Sequence, residues 1–556
     1  MSVGVGGAER GSHILVCGDG PLLVRVVEVL TVHFRTPVVV LVPPDRSGWA
    51  DDLARLPARV ITVERPTTEA LHAADAGTAS AVGLLYRDGI ANVRAALTVR
   101  RAHPGLRLVV RAPSAQYREL RSLLEPVSFL SESAITAPAF VAAALGEVPP
   151  THFRLAGRTL LAARRTDVPA EAVLCGLADE SGGRALPADD GHSEVVLAAL
   201  EPIPVPGISS RVDADKVRPR WPWRWSRILR RSLAAVGRIG WLSLISAVAV
   251  LAVDGLVLAR STGSAWSAGI WQAVLFVAGN TAWTAGHAWP ANLALISLTV
   301  VPLALVAAVT AAVVNAVINR RLAPAGPGLV ESVAGHVVVV GLGELGRRVL
   351  AQLNDLGLSV VAVDRTGSAA GVELARARGV PLVVGDANRE ETLHLASVRT
   401  ARALLTLTGD DATNLLCCLA GRRLRDGLRV VLSTQDAELA ASLTGTLGEV
   451  ARNPAAAAAP AFAMALTGHD QIAAVQLGAT TLQVIEMSVE DRSRLHGAPL
   501  SSCSEEGSTR VVGVRARSDA AVDWSPADHR LEPGEILTVV GTTAALARLI
   551  QRGAGR

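Results

Sequence analysis

The stretch His336-Val-Val-Val-Val-Gly-Leu-Gly-Glu-Leu-Gly346 sets the architecture of the second half of the chain. Four consecutive valines ending at a glycine predict a short strand buried on both faces, as in a parallel sheet. Gly341, Gly343 and Gly346 then follow at the spacing of an anion-binding turn that opens a helix. The first glycine makes the tight turn, the second lets a phosphate approach the backbone, and the third lets helix and strand pack closely. The N-terminus of that helix faces the anion with N–H groups that have no intrahelical partner.

Downstream, Leu358-Ser-Val-Val-Ala-Val363 predicts a second strand, and it ends in Asp364. A carboxylate there accepts hydrogen bonds from both ribose hydroxyls and repels a 2′-phosphate. NAD(H) or an adenine nucleotide (ADP or ATP) is therefore expected rather than NADP. A third strand ends in Val383-Val-Gly-Asp-Ala387, and a fourth runs into Leu404-Leu-Thr-Leu-Thr-Gly-Asp-Asp-Ala-Thr-Asn414.

Taken together, these motifs resemble the RCK family, the Trk-type NAD-binding regulators of potassium conductance. The resemblance implies a Rossmann-type α/β lobe over residues 335–447. Gly341, Gly343, Gly346 and Asp364 would hold the nucleotide, with Asp386 and Thr408 bordering it. It also implies a crossover helix within 448–470 that pairs subunits, where Arg452-Asn-Pro454 leads into an alanine-rich run. A small C-terminal lobe, 471–556, would close on Leu531-Glu-Pro-Gly-Glu-Ile-Leu-Thr-Val-Val-Gly541.

The first half repeats the second at an offset of about 322 residues. His13-Ile-Leu-Val-Cys-Gly-Asp-Gly20 parallels His336 to Gly343, and Leu106-Arg-Leu-Val-Val110 parallels Leu428-Arg-Val-Val-Leu432. Ala137-Pro-Ala-Phe140 parallels Ala459-Pro-Ala-Phe462, and Asn92 parallels Asn414. Held register of this kind predicts two copies of one fold, the first spanning 13–205. The binding chemistry is degraded in that copy. Leu23 stands at the third glycine position, Pro43 at the ribose carboxylate with Asp45 two residues late, and Val63-Glu-Arg-Pro66 replaces Gly-Asp-Ala. A nucleotide-free copy is expected.

Between the copies lie a basic segment, 206–238, and two apolar runs, about Ile239–Ala259 and Ala291–Ile318. Each run has the ~20 apolar residues a spanning helix needs. Arg218 to Arg238 precede the first, Arg320 and Arg321 follow the second, and Arg260 is the lone arginine between them. By the positive-inside rule both chain ends are expected in the cytoplasm of a multi-pass plasma-membrane protein. Asp254 falls in the first run, near its outer end. Residues 266–290 hold a short apolar segment and then Thr281-Ala-Trp-Thr-Ala-Gly-His287, the layout of a re-entrant loop. A linker, 319–334, leads on to the second copy.

Two spans around such a loop resemble the pore module of potassium channels, which are tetramers. The filter departs from that family, since Gly286 is the single glycine and there is no tyrosine. Ala285-Gly286-His287-Ala288 is closer to the CASTOR/POLLUX-type channels. Thr281, Thr284, Ala285, Gly286 and His287 are the candidate pore residues.

Composition narrows the remaining classes. Half of the 556 residues are apolar, and the net charge is only +4. The densest basic cluster, Arg218 to Arg238, leads directly into an apolar run and reads as a membrane flank, so no nucleic-acid partner is expected. Five cysteines without CxxC or Cys/His spacing argue against a disulfide framework or a zinc site. With no charged-then-apolar stretch at the start of the chain, no cleavable leader is expected. No His or Lys is placed as an acid/base beside a substrate domain, so the chain is not expected to be an enzyme. The combined expectation is a ligand-gated cation (potassium) channel subunit, a homotetramer passing monovalent cations and regulated by nucleotide. The alternative is a non-conducting, membrane-anchored nucleotide sensor or regulatory subunit of a cation transport system.

Overall fold

The structure is a computed structural model. It describes residues 13–554 apart from 45–47, 113–120, 147–150, 156–157, 180–184, 188–190, 192, 201–236, 278–288, 301–333, 437, 441, 444–449, 470, 478–479, 517–520 and 525. The chain divides into two compact units, one formed by 1–205 with 325–556 and the other by 206–324.

The first unit holds the two expected copies. β1 (His13–Gly18), β2 (Val38–Val42), β3 (Arg59–Thr62), β4 (Ala79–Leu85), β5 (Arg107–Arg111) and β6 (Val127–Leu130) form a parallel sheet in the order β3-β2-β1-β4-β5-β6. A four-stranded antiparallel lobe follows, ordered β7-β8-β10-β9, from β7 (Thr151–Leu155), β8 (Arg158–Arg164), β9 (Val173–Asp179) and β10 (Ser193–Leu200). The second copy repeats both sheets. Its parallel sheet runs β13-β12-β11-β14-β15-β16, from β11 (Val337–Val340), β12 (Val360–Asp364), β13 (Leu382–Val384), β14 (Ala403–Thr406), β15 (Arg429–Ser433) and β16 (Val450–Arg452). Its lobe runs β17-β18-β20-β19, from β17 (Gln471–Leu477), β18 (Thr480–Ser488), β19 (Thr509–Arg515) and β20 (Ile536–Thr542). Strand order 3-2-1-4-5-6 is the doubly wound arrangement, whose ligands sit beyond the carboxyl ends of the strands.

The repeat extends to single hydrogen bonds. His13 Nε2 donates to the Ala74 carbonyl at 3.0 Å, and His336 Nε2 to the Ala396 carbonyl at 2.9 Å. Asn92 accepts from the Tyr86 amide and donates to the Tyr86 and Arg111 carbonyls. Asn414 accepts from the Thr408 amide and donates to the Thr408 and Ser433 carbonyls. Each buried asparagine thus ties together the ends of two neighbouring strands, which satisfies backbone groups that have left the sheet.

Four helices join the copies. α1 (Pro21–Glu28) and α2 (Glu132–Leu145) belong to the first half, α3 (Glu344–Asp355) and α4 (Pro454–Thr467) to the second. α2 packs on α3, and α4 on α1, so each half lends its crossover helix to the other. Phe462 of α4 is fully buried with Ile14, Leu23 and Val40, while Phe140 of α2 is buried with Val337, Val349 and Val431. Burying a phenylalanine contributes roughly 1.5–3 kcal/mol, so each parallel sheet depends on a side chain from the opposite half. The helix expected to pair subunits therefore pairs the two halves of one chain. The two antiparallel lobes share a further core, in which Leu160 and Leu197 meet Val484 and Val540.

In the second unit, helices span Gly237–Thr262, Trp266–Val277 and Trp289–Val300. Among the described residues no single helix is long and apolar enough to cross a membrane. Val248–Thr262 and Trp266–Leu275 reach that length and apolarity only together, as a pair bent by 117°. The bend is glycine-packed: a Cβ on Gly269 would lie 2.3 Å from the Gly255 carbonyl oxygen, and one on Gly255 would lie 2.7 Å from Ile270 Cα. Small residues of this kind let helix backbones approach closely. Asp254 is buried, and its carboxylate accepts from the Ser297 hydroxyl on the third helix. Most of the expected second span lies outside the described residues, as do Thr281, Thr284, Ala285, Gly286 and His287.

Candidate functional site: a nucleotide cradle at the end of β11

The all-valine β11 is buried on both faces because helices cover both sides of its sheet. It delivers the chain into Gly341, whose φ of 86° favours glycine. A side chain there would also meet the Thr408 amide nitrogen at 2.9 Å. Gly346 is the tightest contact of the three, since a Cβ would fall 1.8 Å from the Gly341 oxygen. Gly343, the N-cap of α3, differs from both: a Cβ there would meet nothing within 4 Å. Two glycines are thus required by packing, and the middle one fronts open space. These are the distinct roles a phosphate-binding turn assigns.

Asp364 closes β12 and is buried. One carboxylate oxygen accepts from the Leu342 amide inside the glycine turn at 2.8 Å. The other accepts from the Thr366 amide at 2.9 Å and the Thr366 hydroxyl at 3.2 Å. A carboxylate has about four lone-pair sites, which leaves acceptor capacity for a sugar hydroxyl. Asp386 lies just beyond β13 and accepts from the Asn388 amide at 3.0 Å. The Thr408 hydroxyl is committed within the protein, to Asn414 Oδ1 at 2.8 Å and the Asp410 carbonyl at 3.1 Å. Thr408 therefore shapes the loop beside Gly341 while Asn414 fixes it. Thr413 hydrogen bonds hold the Asp410 carboxyl below the usual carboxylate range, with Arg365 adding a smaller pull in the same direction.

The other half supplies groups close by. Arg348 of α3 donates to Ser133 Oγ at 2.8 Å and to Ser131 Oγ at 3.2 Å. Arg111, at the end of β5, pairs with Glu132 at 2.6 Å. Burial pushes the Glu132 carboxyl up; Arg111 and then Arg87 oppose that shift, and Glu344 in the first turn of α3 adds to it. Sequence reading missed this cluster, because nothing in the local sequence of 111 or 132 announces that α2 will cross to α3.

The first copy turns differently and its space is filled. Gly20, at the position of Gly343, has φ 84° where Gly343 has −65°, and a Cβ there would lie 2.7 Å from Arg87 Nε. The Arg87 amide donates to Asp19, and its guanidinium reaches Gln435 of the second half at 3.4 Å. A protein cation occupies the position that Gly343 leaves open. Leu23 is fully buried at the third position, Glu64 is exposed, and Asp45 lies outside the described residues. All five cysteines are buried.

Comparison with known proteins agrees with this geometry. The TrkA-N domain family model matches residues 337–450, and this segment is a TrkA-N (RCK) domain. Among curated proteins, the chain is 27% identical over 101 residues to a Trk system potassium uptake protein TrkA homolog of Pyrococcus horikoshii. That match covers 18% of this chain and 44% of the relative's length. It is 19% identical over 233 residues to potassium channel protein 1 of Methanocaldococcus jannaschii, covering 40% of this chain and 67% of that one. Among solved structures, the GsuK RCK domain aligns with 99% of this chain and 96% of its own, at a TM-score of 0.50 and 15% identity. The GsuK channel aligns with 99% of this chain and 80% of its own, at a TM-score of 0.51 and 14% identity. These similarities describe the fold.

Proposed function

We propose that this protein is a nucleotide-regulated component of a potassium transport system, and specifically the subunit of a ligand-gated cation channel. The observation that carries the regulatory reading is the cradle: Gly341 and Gly346 packed to contact, Gly343 facing open space, and Asp364 bonded into the same turn. NAD(H), ADP or ATP fits it. The pyrophosphate would lie over Gly343 and the N-terminus of α3, and the ribose on Asp364. The relatives named for potassium transport accord with this choice, and the GsuK channel has itself been solved bound to NAD. The chain has no catalytic role in this reading; it binds the nucleotide without transforming it.

The conduction path would be the 239–318 segment, with Thr281 to His287 as its filter and four chains around it. Nucleotide bound beside α3 would bias the packing of α2 and the Arg111–Glu132 pair, and hence the relation of the two halves. A ligand shifts such an equilibrium only by its differential affinity for the two states. The filter's departure from the potassium-channel pattern favours a second reading, a membrane-anchored sensor that does not itself conduct.

Liposome flux of potassium and sodium, with and without NAD(H) and ATP, tests both. Flux that responds to nucleotide and loses that response in Asp364→Ala is the expected result. Absent flux from a correctly assembled oligomer that still binds nucleotide would leave the sensor reading. Failure to bind any of these nucleotides would refute both.

A further inference from the structure

A cleft of about 1460 Å³ lies at the opposite end of the first sheet from its glycine turn. Its floor is the starting ends of β2, β4 and β5, with the end of α4 beside them. Its far wall is β18 and a last helix, α5 (Thr543–Gly553). Rossmann ligands bind beyond the carboxyl ends of the strands, so this cleft is separate from both glycine turns. It exists because α5 docks on the first copy, where Gln551 donates to the Phe34 carbonyl.

The charge of the cleft is one-sided. Arg35, Arg107, Arg494, Arg548 and Arg552 line it, against Glu486 and Glu490. Glu486 also faces Arg515 at 3.6 Å and Arg548 pairs with Glu505 at 3.3 Å, which leaves Arg35, Arg107, Arg494 and Arg552 against Glu490. Arg552 is held in place by donation to the Ser502 carbonyl at 3.0 Å. Gathering like charges around a cleft raises the local potential for anions.

The backbone of the near wall is irregular at the same place. The chain leaves α1 through a π-helical turn, Val29–His33, and Arg35 then adopts φ 50°. π-turns occur frequently at functional sites. Non-glycine residues in the left-handed region are strained and persist where the surroundings demand them. Both irregularities fall on residues that line the cleft, and the second sets the backbone of an arginine there.

We propose that this cleft is a second ligand site, taking a small anion with several phosphate groups. Guanidinium groups bind phosphate oxygens bidentately and stay charged at all working pH values. A ligand here would touch the first copy through Arg35 and the C-terminal lobe through Arg494, Arg548 and Arg552. It would therefore clamp together the first copy and the C-terminal lobe, which the docking of α5 already brings into contact.

Titration calorimetry of the full chain in detergent with inorganic tripolyphosphate provides the test. A Gly343→Asp background removes the glycine turn as a competing phosphate site without a steric clash. One equivalent of tripolyphosphate is expected to bind in that background. Binding should weaken by at least about a hundredfold in Arg35→Gly/Arg494→Glu, as loss of two charge-assisted contacts requires. Arg494→Glu alone lies in an exposed turn, leaves the strained residue untouched, and should weaken binding about tenfold or more; it decides the matter if the double variant does not fold. No binding in the Gly343→Asp background, undiminished binding in the arginine variants, or equal displacement by sulfate would each overturn the proposal. Because NAD(H) binding to the wild type is read separately, failure of the cradle reading leaves this result interpretable.

Discussion

Arg429 donates from Nη1 to the carbonyl of Ala143, 3.3 Å away and 286 residues earlier in the chain. Ala143 lies in the last turn of α2, and Gly146 beyond it closes that helix in the left-handed conformation. The guanidinium thus sits at the negative end of a helix dipole and satisfies an orphan carbonyl. The repeat places Arg107 in the matching position against Gly468 at the end of α4, so close that a Cβ there would lie 2.1 Å from Nη1. Each half sets an arginine at the end of the helix it has borrowed.

Replacing Arg429 by Met should keep the packing of its stem and lose the cap. We expect a stability loss of about 1 kcal/mol, measured by thermal unfolding of the full chain. An unchanged midpoint would mean that solvent already serves the α2 carbonyls.

Phe462→Ala should destabilise the first half although the residue belongs to the second. A loss of about 3–5 kcal/mol is expected for a fully buried phenylalanine. Hydrogen exchange should show the lost protection in β1 and β4, where Phe140→Ala would instead expose β11 and β14. Loss confined to residues 335–556 in the Phe462 variant would contradict the exchange of helices.

At the cradle, Gly343→Ala and Gly346→Ala should behave differently. The first adds a methyl group in open space, so the fold is kept while nucleotide binding weakens. The second drives a methyl into the Gly341 carbonyl and should destabilise the second half by about 1–3 kcal/mol as well. Equal stability of the two variants, compared by denaturant unfolding, would argue that the turn relaxes easily.

His336 gives a pH dependence of defined sign. Burial lowers its pKa from the ordinary 6.5, partly opposed by the Ala396 hydrogen bond, so the folded state holds it neutral. The unfolded chain takes up a proton that the folded one resists. The contribution of this histidine is therefore complete above pH 6.5 and declines as the pH falls toward the lowered folded value. His336→Gln should flatten that acid limb in unfolding experiments, and an identical limb would assign it to other groups.

The fold of the second half was legible because its signals are local. Four valines, three spaced glycines and a strand-ending aspartate each need only their neighbours to be interpreted, and all fall where expected. The repeat was legible for the same reason, and it placed Asn92 and Asn414 in matching roles. What the sequence could not disclose is which surface the alanine-rich helices cover. Residues 132–145 and 454–467 are apolar nearly all round and can pack equally well on a second chain or on the other half of their own. For the same reason nothing marked Arg348 as the partner of Ser131 and Ser133 across the two halves. Nothing in the sequence singles out Arg87, and only the three-dimensional turn shows its guanidinium standing over Gly20.

The exchange of α2 and α4 also bears on biosynthesis. A ribosome finishes the first parallel sheet well before it makes Phe462, and the unit formed by 206–324 emerges in between. Until α4 arrives, the apolar patch around Ile14, Leu23 and Val40 has no cover, and a newly made chain must keep it from other nascent copies. A transcript truncated anywhere before α4 would then yield not a shorter working protein but a sticky half, a natural client for chaperones and proteases.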